Sequence, residues 1–278
     1  MGKISNAYIV KNYSDPTGIY VNKDGDDACN GSFYKPVATV TAALALVSST
    51  RKVINVAPGA YAEAAALTWP SIGGVSLVGA GSSLTSISAT GTTVFSVNPT
   101  AQTSTFTGLI QDIEIDHSAG DGQSGITFNN TSVARKLNFS LKGIGYSWDE
   151  DTDKSINIAT HVTGNAIRIY CSGYGDQTEV GAIYFKVNDN ADRLHLENMW
   201  LMCTTTLSGA DQIRVRALRC VIPEHTVAVA FVGDSGLQTV TLVDCWQWTD
   251  YDDTVAEIFE HAESGNVTGS TAVVVAYS

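Results

Sequence analysis

The stretch VINVAPGAYAE, Val53 to Glu63, decides how the chain is read. Val53, Ile54 and Val56 have the β-branched, apolar character of a short buried strand. Pro58 and Gly59 form a turn, and a tyrosine and a glutamate follow at Tyr61 and Glu63. Working outward, the same apolar-x-apolar pair recurs as INV (Ile54), VSL (Val75), IEI (Ile113), LNF (Leu137), IRI (Ile167), LHL (Leu194), IRV (Ile213) and VTL (Val240). The steps between pairs are irregular, and Gly, Asn, Thr and Ser punctuate every interval, which excludes a helical repeat.

Several short strands per irregular repeat, each alternating in and out, describe a parallel β-solenoid. Each coil lays its strands on the coil before it, roughly 4.8 Å away, so about eight coils make a rod on the order of 40 Å long. Inward side chains stack as ladders and outward ones line the surface. Open ends expose apolar interior and unpaired backbone, so they need caps. A capping helix is expected over 36–50, with Val37, Val40, Leu44 and Val47 on one face, Pro36 in its first turn, and Arg51 and Lys52 at its C-terminal dipole. A second capping helix is expected in TVAEIFEHAESG, from the Thr254/Glu257 capping box to Gly265, with STAVVVAYS as a final strand.

Hydrophobic residues make up 44% of the 278, which supports a core, while charged residues are only 16%. The net charge is −12, and no Lys or Arg follows Arg219, whereas nine acids do. Such a segment repels phosphate backbones, so no nucleic-acid partner is expected. The first residues lack an apolar signal-peptide core, and no run is long enough to span a membrane. The expectation is synthesis in a host cytoplasm without a secretion signal and without a membrane partner. The five cysteines (Cys29, Cys171, Cys203, Cys220, Cys245) have neither zinc-ligand nor disulfide-framework spacing; the last four read as small apolar fillers.

The segment from Tyr20 to Glu63 resembles the opening of the pectin-lyase-like superfamily of right-handed parallel β-helices. The matching residues are Tyr20, Asp24, Gly25, Asp27, Asn30, Gly31, Pro36, Ala43, Pro58, Gly59, Tyr61 and Glu63. The resemblance implies an all-β, right-handed parallel β-helix. It marks fold and not chemistry, because the pattern also occurs in phage tailspikes and other virion β-helices. Enzymes of the superfamily place catalysis on the outer face of one stacked sheet.

The residues between the apolar pairs supply one outward ladder: Asn55, Ser76, Glu114, Asn138, Arg168, His195, Arg214 and Thr241, flanked by Asp112, Asp116, Lys136, Arg193, Glu197 and Arg216. Glu114 or Asp116 with Arg168 and His195 is its best catalytic constellation. Elimination from a uronate needs a basic residue and charge stabilisation, and hydrolysis needs two carboxylates. Against this, exposed strands carry mixed charge for solubility, and the catalytic signatures of polygalacturonases and pectin methylesterases are absent. Asp24, Asp26 and Asp27 have spacing suited to Ca²⁺, or to Asx turns ordering a loop. Trp148 and Trp248 each sit beside acids, as ligand-binding or interface tryptophans do.

The expected organisation is an arm over 1–18 and a β-helix domain over 19–278, with coils over about 53–250 and a C-terminal cap over about 251–278. The expected function is that of a non-enzymatic bacteriophage virion protein: a homotrimeric decoration, knob or tail-associated β-helix on a capsid or tail surface, without a required cofactor. The alternatives are a polysaccharide lyase or glycoside hydrolase and a carbohydrate-binding adhesin.

Overall fold

Residues with inward aliphatic side chains meet their counterparts one turn of chain later, and the chain winds into stacked coils. The computed structural model describes residues 17–100, 105–118, 122–130, 136–148, 153–161, 165–186, 192–202, 205–208, 213–223, 231–233, 238–243, 245–248, 262–263, 265–267 and 276–277. After β1 (Ile19–Val21) and α1 (Val40–Ala45), the first coil is β2 (Val53–Val56), β3 (Gly59–Glu63) and β4 (Leu67–Thr68). The second is β5 (Val75–Val78), β6 (Thr85–Ala89) and β7 (Thr93–Val97), and the third is β8 (Thr105–Gln111), β9 (Glu114–Asp116) and β10 (Ser124–Asn130). The fourth is β11 (Lys136–Lys142), β12 (Gly145–Ser147) and β13 (Lys154–His161). Two coils of one long and one short strand follow: β14 (Ala166–Val180) with β15 (Ala182–Lys186), and β16 (Asp192–Leu201) with β17 (Thr205–Ser208). Then come β18 (Ile213–Leu218), β19 (Val221–Pro223) and β20 (Phe231–Gly233), and last β21 (Gln238–Val243) and β22 (Trp246–Trp248).

The first strands of the eight coils lie in one twelve-stranded sheet, in the order β1-β2-β5-β8-β11-β14-β16-β18-β21. A four-stranded sheet holds β3, β6, β9 and β12, and a seven-stranded sheet holds the strands that close the first seven coils. All pairings between coils are parallel, so the chain is the parallel β-helix expected, its crossovers of the right-handed kind. At the far end β24 (Gly265–Val267) runs antiparallel on β21, and β23 (Ala262–Glu263) pairs antiparallel with β25 (Ala276–Tyr277). The body of the expected C-terminal helix lies outside the described residues, but Ala262, placed at its end, opens β23 instead. Residues 1–16 of the expected arm also lie outside them.

Burial of the inward rows holds the coils together. Ile54, Leu77, Ile110, Leu141, Cys171, Leu196 and Ala217 succeed one another in register and are buried. Each large aliphatic member contributes on the order of 1.5–3 kcal/mol. Gly108 stands in the neighbouring row because the Phe139 ring takes its space; a Cβ there would lie 2.2 Å from Phe139 Cε2. That ring meets Trp69 and Phe128 edge to face, each at 5.1 Å. Cys171, Cys220 and Cys245 are buried thiols in no disulfide, and Cys203, the fourth residue read as a filler, lies outside the described residues. A left-handed residue follows the core of the large-sheet strand at Asp112, Gly143, Asn198 and Arg219 (φ 51° to 57°).

The opening cap corrects one expectation. The helix spans Val40–Ala45 only, not 36–50. Val37 is not helical: it bridges Val21 and extends the sheet edge, which Pro36 permits and a helix would forbid. Thr39 is the N-cap, accepting from Ala42 N at 3.1 Å. Arg51 does not face the helix C-terminus; it donates to the carbonyls of Asn30, Gly18 and Gly31. The quoted stretch explains the cap. Tyr61 Oη donates to Ala57 O at 2.9 Å and closes the Pro-Gly turn. The buried Glu63 carboxylate then accepts from Val40 N (2.8 Å), Thr41 N (3.2 Å) and Thr41 Oγ1 (2.6 Å). Glu63 thus joins the helix N-terminus to the first coil.

Removing that carboxylate leaves buried donors without acceptors. Glu63→Ala is expected to cost about 1–3 kcal/mol, read as a lowered thermal midpoint. Gly108→Ala, which forces the Phe139 ring aside, is expected to cost about as much by the same measurement. Alkali gives a second test. Burial pushes the Cys171 thiol from its ordinary 9.0 up to about 12 and raises the buried Tyr146 hydroxyl. Raised folded-state values mean full stability below pH 9, with loss as pH climbs from there towards 12. A denaturant midpoint that stays flat across that range would refute this linkage.

Candidate functional site

Parallel register decides which outward side chains meet. In the large sheet Arg168 pairs with Arg193, and Arg193 with Arg214. Asn138 precedes this row and Thr239 follows it. One step along the strands runs a second row, Ser140, Tyr170, His195, Arg216 and Thr241. Neighbours within a row are roughly 4.8 Å apart and the rows are roughly 7 Å apart. Together Arg168, Tyr170, Arg193, His195, Arg214 and Arg216 line a shallow depression of about 430 Å³.

The sequence placed Arg168, His195 and Arg214 on a single rung; the structure moves His195 to the next one. The cause is Asp192. It occupies a fully buried inward position between Ile167 and Ile213, where apolar periodicity expects an aliphatic residue. Its Oδ1 accepts from Ile167 N at 2.8 Å, so the interior admits it. Aligning on the inward residues Ile169, Leu194 and Val215 recovers the true rung. In each of IRI, DRL and IRV an arginine stands just before that aliphatic residue, and this signal was available in the sequence.

Like charges this close need a reason to stay. Their backbones are roughly one strand spacing apart, and unit charges held at such a distance repel by about 0.9 kcal/mol in bulk water. Arg193, the middle member, is held below the usual guanidinium range by burial first, then by Arg214 and Arg168. Tyr170, beside His195 in the second row, is 42% exposed. Beside the rows, Glu197 is contacted by the Arg219 guanidinium, and its other oxygen lies 3.6 Å from His195 Nε2. Among the outward residues of 166–172, 192–197 and 213–218, Glu197 is the sole carboxylate.

The other expected site residues fall elsewhere. Glu114 and Asp116 are in β9 of the four-stranded sheet, facing serines of the adjacent coils, and do not join Arg168 and His195. Glu114 Oε1 accepts from Ser147 Oγ (3.0 Å), and Asp116 Oδ1 accepts from Ser118 Oγ (2.7 Å). The IEI pair belongs to a corner strand, so equal spacing in sequence did not make it a rung of the large sheet. Asp112 is the left-handed corner residue and accepts from Tyr174 Oη at 2.8 Å, which raises the tyrosine's pKa.

Of the aspartates of the opening loop, Asp26 and Asp27 cap backbone, while the Asp24 amide itself donates to Asn22 Oδ1 at 3.1 Å. Asp27 Oδ1 accepts from Ala38 N and Thr39 N, its Oδ2 from Thr39 Oγ1, and Asp26 Oδ1 from Ala28 N. Among the described residues no group of three or more His, Cys, Asp or Glu is placed to hold a metal. Trp148 is half-buried and packs on the core beside His117, with ring centroids 6.4 Å apart. Trp248 ends β22; of the acids beside the two tryptophans Asp153 is buried, and the others lie outside the described residues.

Comparison with known proteins adds little to this geometry. Residues 23–137, less than half of the chain, match the family described as "Protein of unknown function (DUF1565)". No curated protein matches the sequence. Similar solved structures include a pectin methylesterase from carrot, at 14% identity and TM-score 0.40 over 82% of each chain. They also include pectin methylesterase PemA from Erwinia chrysanthemi, at 11% identity and TM-score 0.40 over 84% of this chain and 91% of that one. ORF18 of Geobacillus virus E2 is similar at 10% identity and TM-score 0.30 over 100% of this chain and 80% of its own. At these levels no activity passes to this chain.

Asp192 links buried interior to arginine row, so Asp192→Ala is expected to destabilise by about 1–3 kcal/mol through the orphaned Ile167 amide. A urea midpoint equal to that of the unchanged protein would show that the buried carboxylate is dispensable.

Proposed function

We propose that the protein is a non-catalytic β-helix that binds an anionic surface polymer through the Arg168–Arg193–Arg214 row, and that it does so as part of a bacteriophage virion. The observation that carries the binding half is four arginines gathered in one depression of a chain with net charge −12. Unlike the mixed charges that keep strands soluble, this patch repels itself, and an anionic ligand relieves that repulsion. An exposed tyrosine beside it gives a sugar ring or similar unit a flat apolar contact.

The virion half rests on the opening segment, whose pattern occurs in virion β-helices. In this reading the rods associate as a homotrimer around a threefold axis, the N-terminal arm attaches them to a capsid or tail surface, and no metal is needed. Coils whose large-sheet strands are hydrogen-bonded on both edges suit a particle that must persist outside a cell.

One observation favours a lyase or hydrolase as a second reading. His195 lies beside Glu197, as a base beside the group that orients it, and next to arginines that could stabilise an anion. Glu114 and Asp116, on another sheet, contribute nothing to it.

A single set of assays separates these readings. Purified protein is expected to be retained by immobilised acidic polymers and not by neutral dextran, with retention falling as salt rises. Arg168→Ala combined with Arg214→Ala should weaken binding at least tenfold without lowering the thermal midpoint. Unchanged binding would remove the row from the function. New reducing or unsaturated ends that vanish in His195→Ala would establish the catalytic reading instead. Sedimentation should report three times the chain's 29.4 kDa; a monomer would exclude the trimeric assembly.

A further inference from the structure

We infer that Cys220 and Cys245 form an inter-coil disulfide when the protein meets a thiol-oxidising environment, a staple that fastens the last coil to the one before it. The placement of the two sulfurs carries this. Cys220 and Cys245 immediately precede Val221 and Trp246, which face each other in parallel register on β19 and β22. Neighbouring strands hold such residues roughly 4.8 Å apart at Cα, within the roughly 4.4–6.8 Å that a disulfide spans. Both side chains are fully buried. Their thiols reach consecutive carbonyls of β18: Cys220 Sγ donates to Leu218 O at 3.5 Å, and Cys245 Sγ to Ala217 O at 3.4 Å. The two sulfurs are also in hydrogen-bonding contact with each other. Cys171, by contrast, faces Leu141 and Leu196 in register.

Such a pair closes by exchange with a small disulfide such as oxidised glutathione. One cysteine thiolate attacks the glutathione disulfide, forms a mixed disulfide and releases one glutathione thiolate. The second cysteine thiolate attacks the protein sulfur of that mixed disulfide, the Cys220–Cys245 bond forms, and a second glutathione thiolate leaves. The glutathione disulfide takes up the two electrons, and the two cysteine protons pass to the released thiolates. In the closed coil the exchange is slow. The hydrogen bond to Cys245, and then burial, raise the Cys220 pKa and keep it a thiol. Access comes with opening at the end of the stack, where among the described residues β22 pairs with β19 alone. Because the bridge joins residues one coil apart, it restricts the unfolded chain across the whole turn between them. In the virion reading the protein leaves a reducing cytoplasm, and such a bond then persists. The pairing itself is independent of what the arginine face binds.

The test incubates the full-length protein with oxidised glutathione at rising urea below its unfolding midpoint, alkylates the remaining thiols and digests with trypsin. No Lys or Arg follows Arg219, so both cysteines fall on one tryptic peptide, 220–278, and the other three cysteines on different ones. That peptide is expected to lose two hydrogens and to escape alkylation, at least tenfold faster in sub-denaturing urea than in buffer. The oxidised protein should show a thermal midpoint several degrees higher, which dithiothreitol returns to its starting value. Cys245→Ala should abolish both the bridge and the rise, and Cys171→Ala should keep both, each variant being measured against its own reduced form. Two alkylated thiols on peptide 220–278 at every urea concentration would overturn the pairing. So would glutathione adducts that never resolve, or a bridge from either cysteine to Cys29, Cys171 or Cys203. A rate independent of urea would refute access by opening. A bridge that leaves the midpoint unchanged or lower would overturn the staple.

Discussion

Parallel backbone pairing between coils is the constraint on which everything else in this molecule depends. Each large-sheet strand is hydrogen-bonded to the coil before and the coil after, in defined register. A one-residue slip would turn every inward aliphatic side chain to solvent, so burial and hydrogen bonding fix the same register twice. The surface inherits that order. Residues far apart in the chain, such as Arg168, Arg193 and Arg214, become neighbours at strand spacing through the register of their strands. The scaffold supplies the energy that keeps like charges side by side.

The opening of the coil stack shows how a chemically suggestive motif can be structural throughout. Glu63 looks available for acid–base work, yet its carboxylate is buried and spent on the amides and hydroxyl at the start of α1. Asp27 takes the two amides just before them. Together with the Tyr61 hydroxyl on Ala57, these bonds secure the first coil to its cap, and none of them faces the arginine rows. A short helix of six residues has little intrinsic stability, and two carboxylates from outside it supply what its own sequence does not.

Legibility differed from element to element for physical reasons. Alternating aliphatic residues and Pro-Gly turns announced the strands and their approximate number, since burial acts on each strand locally. The helix was over-read because Val37 fits both a helical stripe and a bridge to Val21, and only the neighbouring edge strand decides between them. The site was half visible. Arg168, His195 and Arg214 were all recognised as outward, but Asp192 concealed the rung by occupying an inward position with its charge satisfied by Ile167 N. Glu114 and Asp116 were misassigned because the spacing of apolar pairs cannot say which of three sheets a strand joins.

Composition and alternation by themselves determined a parallel β-helix, an acid-rich chain and a set of outward polar residues, because these follow from which side chains can be buried. Which of those residues stand together was decided only in the tertiary structure. Coil length varies freely in the turns, so the separation of two residues in sequence carries no fixed relation to their place on the surface. Inter-coil hydrogen bonds and the packing of inward rows set that relation, and through it gathered Arg168, Arg193, Arg214 and Arg216 into one depression.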